Sequence, residues 1–162
     1  MSAHQVWSMP SCPLNAEAAL RCIRAQHGQI RALLARAQGV AGASLEGESL
    51  PPDAVASAIG DIRATMEVHL AFEEKVLVPL LELDVPLGPE RAARLREEHL
   101  RQRALLGGLH REARVAPELP TLAVKLEFLV AWLSTDMLEE ERELLRDEVV
   151  RDDQVSIDQS CG

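Results

Sequence analysis

Stepped alternately by three and four residues, four long segments of this chain each give one stripe of apolar side chains, broken by a few polar residues, most of them of metal-ligand type. The stripes are Leu20, Ile23, His27, Ile30, Leu34; Val55, Ile59, Ile62, Met66, His69, Glu73, Val76, Leu80; Ala92, Leu95, His99, Gln102, Leu106, Leu109; and Leu122, Leu126, Leu129, Leu133, Asp136, Glu140. Such spacing holds one face of an α-helix against its neighbours. Proline and glycine set the limits of the segments. The first runs from about Leu14 to Val40 and ends in a glycine-rich stretch, 39–47, that reads as a flexible loop. The second follows Pro51-Pro52 with Asp53 as N-cap and reaches about Leu83, the third spans Pro89 to Val115, and the fourth Leu119 to Val150. Hydrophobic residues make up 47% of the 162, aromatics only 2%, so the core is aliphatic and rich in the best helix formers, Ala and Leu. The expected fold is all-α, an antiparallel up-down-up-down four-helix bundle over 14–150, with an N-terminal arm, 1–13, and a flexible polar tail, 151–162.

Six ionisable residues fall on these stripes: His27, His69, Glu73, His99, Asp136 and Glu140. Burying charge costs several kcal/mol per group unless it is paired. At about 1.5 Å per residue, His27 lies roughly 20 Å before the first loop and His69 roughly 25 Å into the second helix, which matches their levels in a hairpin. The same count brings His99, Asp136 and Glu140 to that layer. The pairs His69-x-x-x-Glu73 and Asp136-x-x-x-Glu140 each project two donors from one helix face. Three readings fit: mutual salt bridges, side chains satisfied locally or reaching solvent, and ligation of a divalent transition metal.

On these motifs the chain resembles the haemerythrin-like, HHE cation-binding family, over about Leu14 to Val149. They are His27 on the first helix, His69-x-x-x-Glu73 followed by Glu-Lys-Val-Leu-Val-Pro on the second, Glu97-Glu98-His99 on the third, and Asp136-Met-Leu-Glu-Glu140-Glu141 on the fourth. The resemblance implies a di-iron centre, two iron ions inside the bundle, with zinc or manganese as other occupants. It implies that Glu73 and Glu140 bridge, that His27 and His69 serve one metal, and that His99 with Asp136 serves the other. Members bind O2, sense O2 or NO, handle iron, or respond to peroxide. Asp136 stands where the family usually has His, and Arg103 where many members have a second His on the third helix. The carboxylate-richer set favours the ferric state and suits harder cations, which turns the expectation from O2 carriage towards sensing, oxidation or iron handling. An oxidase or peroxidase acting on ferrous iron or peroxide, and a metal-poor scaffold, are the alternatives.

Other classes find little support. The formal charge of −9 and the scarcity of aromatics argue against nucleic acid. Without tyrosine there is no tyrosyl radical or tyrosinate ligand. No residue three before a histidine is Glu, which removes the ferritin-like Glu-x-x-His pattern, and there is no His-Glu-x-x-His and no phosphate-binding glycine loop. Residues 1–13 lack a signal-peptide pattern, no apolar run spans a membrane, and three cysteines without C-x-x-C spacing fit a reducing compartment, so a cytoplasmic address is expected. Among other residues, His110 and His4 read as outside the cluster and Gln102 as an orienting partner or a locally bonded seam residue. Arg103 reads as paired with surface carboxylates, and Glu139 to Glu143, Glu140 apart, as a solvated face. Gly28 reads as tolerated or as giving room beside the metals, and the Gly107-Gly108 pair as close helix packing or a local weak point, with a gate for small ligands as the alternative. Trp132 and Met66 read as core, and Cys12 and Cys161 as free thiols that the bundle ends could bring together.

Overall fold

A computed structural model describes residues 15–83, 87–115 and 119–145. It holds four helices and, among the described residues, no strand: α1 (Ala16–Leu45), α2 (Ala54–Glu82), α3 (Gly88–Val115) and α4 (Leu119–Glu143). They pack as a bundle in which α2 lies against α3, α1 against α4, and α1 against α2, with a lighter α2 to α4 contact. No helix is long and apolar enough to cross a membrane among the described residues. The arm 1–13, the tail 151–162 and the proposed meeting of Cys12 with Cys161 lie outside the described residues, and Cys22 is a half-buried free thiol.

Helix α1 begins at Asn15, whose side-chain oxygen accepts from the Ala18 amide at 2.8 Å. It then runs past the glycine-rich stretch expected to be loop. Gly39 and Gly42 face open space, while Ala37 and Ala41 are buried in the core and hold the last turns in place, offsetting about 1 kcal/mol lost per glycine. The real stop is Gly47, at φ +75°. Its amide bonds Ser44 O at 3.3 Å and that of Glu48 bonds Ala43 O at 2.9 Å, a Schellman closure that needs the left-handed residue. Asp53 occupies the N-cap of α2 as expected, but its side chain makes no capping bond. Helix α4 ends earlier than expected: Leu144 and Leu145 form a turn after Glu143, and 146–150 are outside the described residues.

The stripes are buried as read in α1 and α3. On α2 the burial drifts after Glu73 to Leu77 and Leu81, leaving Val76 and Leu80 half-buried, because a 3.6-residue turn falls behind a strict seven-residue repeat. On α4 Met137 takes the buried place and Asp136 is half-buried. Met66 is core and Trp132 packs against it. Helix α3 is unbroken through Gly107 and Gly108, and no neighbouring helix approaches within 4 Å of a Cβ built at either, so close helix packing does not account for them.

Two apolar clusters divide the interior. One holds Ile30, Leu34, Ile59, Met66, Leu106, Leu126 and Leu133 among others, the second Leu20, Ile23, Phe72, Leu77, Leu95 and Leu145. On every helix polar residues stand where one cluster gives way to the other: Gln26 and His27 on α1, His69 and Glu73 on α2, His99 and Gln102 on α3, and Asp136 and Glu140 on α4. The aliphatic core thus has a polar layer across its middle.

Candidate metal centre

Glu73 is the hub of that layer. It is fully buried, and its Oε1 lies 3.3 Å from His69 Nε2 and 3.6 Å from His27 Nε2, while Oε2 lies 3.2 Å from His99 Nε2. Glu140 approaches from α4, its Oε2 3.7 Å from His27 Nε2. His27 and His69 stand edge to face with ring centroids 4.9 Å apart. One donor atom from each of His27, His69, Glu73 and Glu140 can be chosen so that all lie within 4.8 Å of one another, a group able to hold a metal ion. His99 joins through the second oxygen of Glu73. Asp136 stands further out, its Oδ2 accepting from Gln102 Nε2, so the six residues share a layer but not one tight cluster. His110 lies away from it, against Gly60 of α2.

The outer nitrogen of each of the three imidazoles in the layer is held. His27 Nδ1 donates to Glu141 Oε1 at 2.8 Å, His69 Nδ1 to Gln26 Oε1 at 2.9 Å, and His99 Nδ1 to Glu74 Oε1 at 3.1 Å. In a neutral imidazole this puts the proton on Nδ1 and leaves the Nε2 lone pair facing inward. The two anchoring carboxylates are themselves held by guanidinium groups: Arg31 donates to Glu141 at 2.7 Å, and Arg103 grips both oxygens of Glu74 and also bonds Glu67. His69 has a neutral anchor instead, for Gln26 is an amide whose nitrogen reaches Cys22 Sγ at 3.7 Å.

The electrostatics follow from burial. Burial, reinforced by His27 and His99 and opposed by Glu73, pulls His69 from 6.5 down to about 4. Burial and the facing Glu73 push Glu140 well above the carboxylate range. Burial alone would raise Glu73, but His69, His27, His99 and the Glu140 carboxyl outweigh it and hold Glu73 below its usual range. Burial, with Glu98 and Glu73 nearby, raises Asp136 to about 6.

With the imidazoles neutral in that tautomer, inward-facing lone pairs meet carboxylate oxygens with nothing positive between them. His27 Nε2, both oxygens of Glu73 and Oε1 of Glu140 are buried without a hydrogen-bond partner. Orphaned buried acceptors cost about 1–3 kcal/mol each, and a divalent cation among them satisfies all at once. The donor set therefore fits a metal, and its mixed imidazole and carboxylate character suits iron, manganese or zinc.

Three participants were not legible as such. Glu141 lies in a run that reads as solvated, yet it anchors His27; Gln26 and Glu74 carried no assignment. Each is the sequence neighbour of a central residue, in Gln26-His27, Glu73-Glu74 and Glu140-Glu141. One residue rotates a side chain by about 100° on a helix, which turns it from the axis towards the flanking helix, where the histidine of that helix waits. Gln102 and Arg103 behave as read, the one bonded to Asp136 and the other to surface carboxylates. Gly28 faces open space on the exposed side of α1 and makes no room at the centre.

A helical bundle whose core carries a convergent set of unsatisfied histidine and glutamate donors is a metal-binding bundle. The chain belongs to the hemerythrin HHE cation binding domain family, whose family model matches residues 19–147. Comparison with curated proteins and with solved structures gives no match.

Proposed function

We propose that the protein is a haemerythrin-type di-iron protein of the cytoplasm that binds or senses O2 or NO, or responds to redox or iron status. In this reading the helices run antiparallel, up-down-up-down, since the two apolar clusters alternate between the two ends of successive helices. His27 and His69 would hold one metal and His99 and Asp136 the other, with Glu73 and Glu140 contributing to both. An iron pair held there would supply redox chemistry towards a diatomic ligand or peroxide. The chain's own part is to present unprotonated Nε2 atoms, to flank the layer with an aliphatic cluster on each side along the bundle, and to hold the imidazoles through Glu141, Gln26 and Glu74.

The observation that carries this reading is the three-fold pattern in which every Nδ1 is engaged and every Nε2 lies within 3.6 Å of a Glu73 oxygen. Ligating histidines characteristically donate their second nitrogen in this way. Zinc or manganese would accept the same donors. A second reading, an oxidase or peroxidase acting on ferrous iron or peroxide, draws support from a cleft of about 260 Å³ that reaches Asp136 and Glu140.

Metal content per chain with the electronic spectrum, compared between the wild type and His69→Ala/Glu73→Ala, tests the assignment. About two irons and an oxo-sensitive spectrum that the double variant loses are expected. One metal would assign occupancy to the tight group of four alone, and trace metal in iron-grown protein would overturn the reading. Exposure of the reduced protein to O2 separates binding, with stable new bands, from oxidase turnover, with rapid ferric product.

A further inference from the structure

α3 and α4 are not among the closely packed helix pairs, and a cleft of about 260 Å³ opens between them. It is walled by Gln102, Asp136, Glu139 and Glu140, with Arg94 and Arg101 beside them. The charge of both arginines is already engaged: Arg94 pairs with Glu143, and Arg101 with Glu97 and Glu98. Among the described residues, Asp136, Glu139 and Glu140 have no lysine or arginine partner, so the cleft is net anionic at its inner wall.

Two buried acceptors set this cleft apart from an ordinary acidic surface. Gln102 is only 3% exposed, its amide nitrogen is bonded to Asp136, and its carbonyl oxygen has no partner. Glu140 presents one oxygen towards His27 and has a second, Oε1, buried without a partner. Glu140 is thus shared between the cleft and the centre. With both arginines engaged elsewhere, the groups left to meet a ligand at the inner wall are the oxygens of Glu139, Asp136, Glu140 and Gln102, the chemistry preferred by a hard, hydrated dication. Six waters at about 30 Å³ each occupy about 180 Å³, so an ion can occupy the cleft with its hydration shell and shed it against these oxygens.

We propose that the α3–α4 cleft is the loading port of the metal centre, a transit site for a hydrated divalent cation formed by Glu139 and the free carbonyl oxygen of Gln102, from which the centre's own Asp136 and Glu140 pass the ion to the histidines. The inference rests on the metal-binding reading above and adds the route.

The test mixes the metal-free full chain with Co2+ and follows the growth of ligand-field absorbance, together with final cobalt per chain. Glu139→Lys is expected to slow uptake about tenfold at low salt, within the range of electrostatic steering, with the final content unchanged. Glu127→Lys makes the same charge change at an exposed position of α4 outside the cleft and is expected to load within twofold of the wild type. Added salt should narrow the gap between Glu139→Lys and wild type. Wild-type loading by Glu139→Lys overturns the port, as does equal slowing by Glu127→Lys, which would make net charge the cause. A lower final content in Glu139→Lys also overturns it, by making Glu139 part of the centre. Failure of the wild type to take up cobalt sinks the metal reading itself, a separate outcome.

Discussion

Glu141 Oε1 accepts the Nδ1 proton of His27 at 2.8 Å, although Glu141 sits on α4 in a run of charged residues that faces mostly outward. Its other oxygen is held by Arg31 at 2.7 Å. Two helices thereby fix the tautomer of one imidazole, and the guanidinium keeps the carboxylate ionised: burial raises Glu141, but Arg31 and His27 bring it below the usual range.

Removing that anchor frees the His27 ring and lets the proton move to Nε2. Glu141→Leu is expected to weaken metal binding about 10- to 100-fold, the usual effect of deleting a ligand's outer partner. Arg31→Met should act in the same direction but less, since it loosens the carboxylate without removing it. Competition against a chelator of known affinity measures both, and unchanged affinity in Glu141→Leu would show that the contact does not orient the ligand.

Glu140 carries a burial penalty in the metal-free protein. Its carboxyl is raised in the folded state above the unfolded 4.5, so the fold binds its proton more tightly than the unfolded chain does. The penalty is absent at low pH and grows as pH rises above 4.5. Glu140→Gln, which removes the charge and keeps the shape, should stabilise the metal-free protein by about 1–3 kcal/mol at pH 7 and hardly at all below pH 4. The same variant should lose most of the metal-induced rise in Tm. Thermal melts with and without Fe2+ at both pH values decide this; a metal-free variant less stable than wild type at pH 7 contradicts it.

How the centre was legible follows from these two glutamates. Glu140 is on the alternating three-and-four step, so helical period alone directs it inward, as it does His27, His69, Glu73 and His99. Glu141 is one residue off that step, and its role depends on how closely α1 and α4 lie together, which no single-helix pattern contains. Asp136 is the opposite case. It is on the step, but Met137 takes the apolar contact, and the Gln102 amide holds the Asp136 carboxylate beside the centre. The long α1 shows the same limit: two glycines suggest a break, and only the burial of Ala37 and Ala41 in the core overrules them. Period fixes facing; contact between helices decides ends, second partners and the side branch.

His69 gives the pH dependence of the metal-free fold. Its pKa is about 4 folded and 6.5 unfolded, so above 6.5 neither state is protonated and no cost arises. As pH falls through 6.5 towards 4 the unfolded chain takes up a proton that the fold refuses, and stability drops by up to about 3 kcal/mol. Asp136, raised to about 6, opposes this in the same window, so the comparison must be with His69→Gln, where the Asp136 contribution remains and that of His69 is gone. Urea melts of both proteins between pH 7.5 and 4.5 should show wild type losing stability relative to the variant; parallel curves would mean that His69 is not held neutral by burial.

The last test separates the two halves of the layer. His99 is anchored by Glu74, and Arg103 grips that carboxylate through both terminal nitrogens, a bidentate arrangement that lysine cannot reproduce. Arg103 also pulls Glu74 below its usual range, which keeps the acceptor of the His99 proton ionised. His27 and His69 share none of these contacts. Glu74→Leu should therefore weaken one metal equivalent about 10- to 100-fold and leave the other near its wild-type affinity. Arg103→Lys should fall between the two proteins, because a point charge keeps the attraction but loses the fork. Titration of the metal-free chain with Fe2+ under argon, resolved into two equivalents, measures this split. If Glu74→Leu weakens both equivalents alike, His99 does not serve a metal of its own, and the layer works as a single site around Glu73.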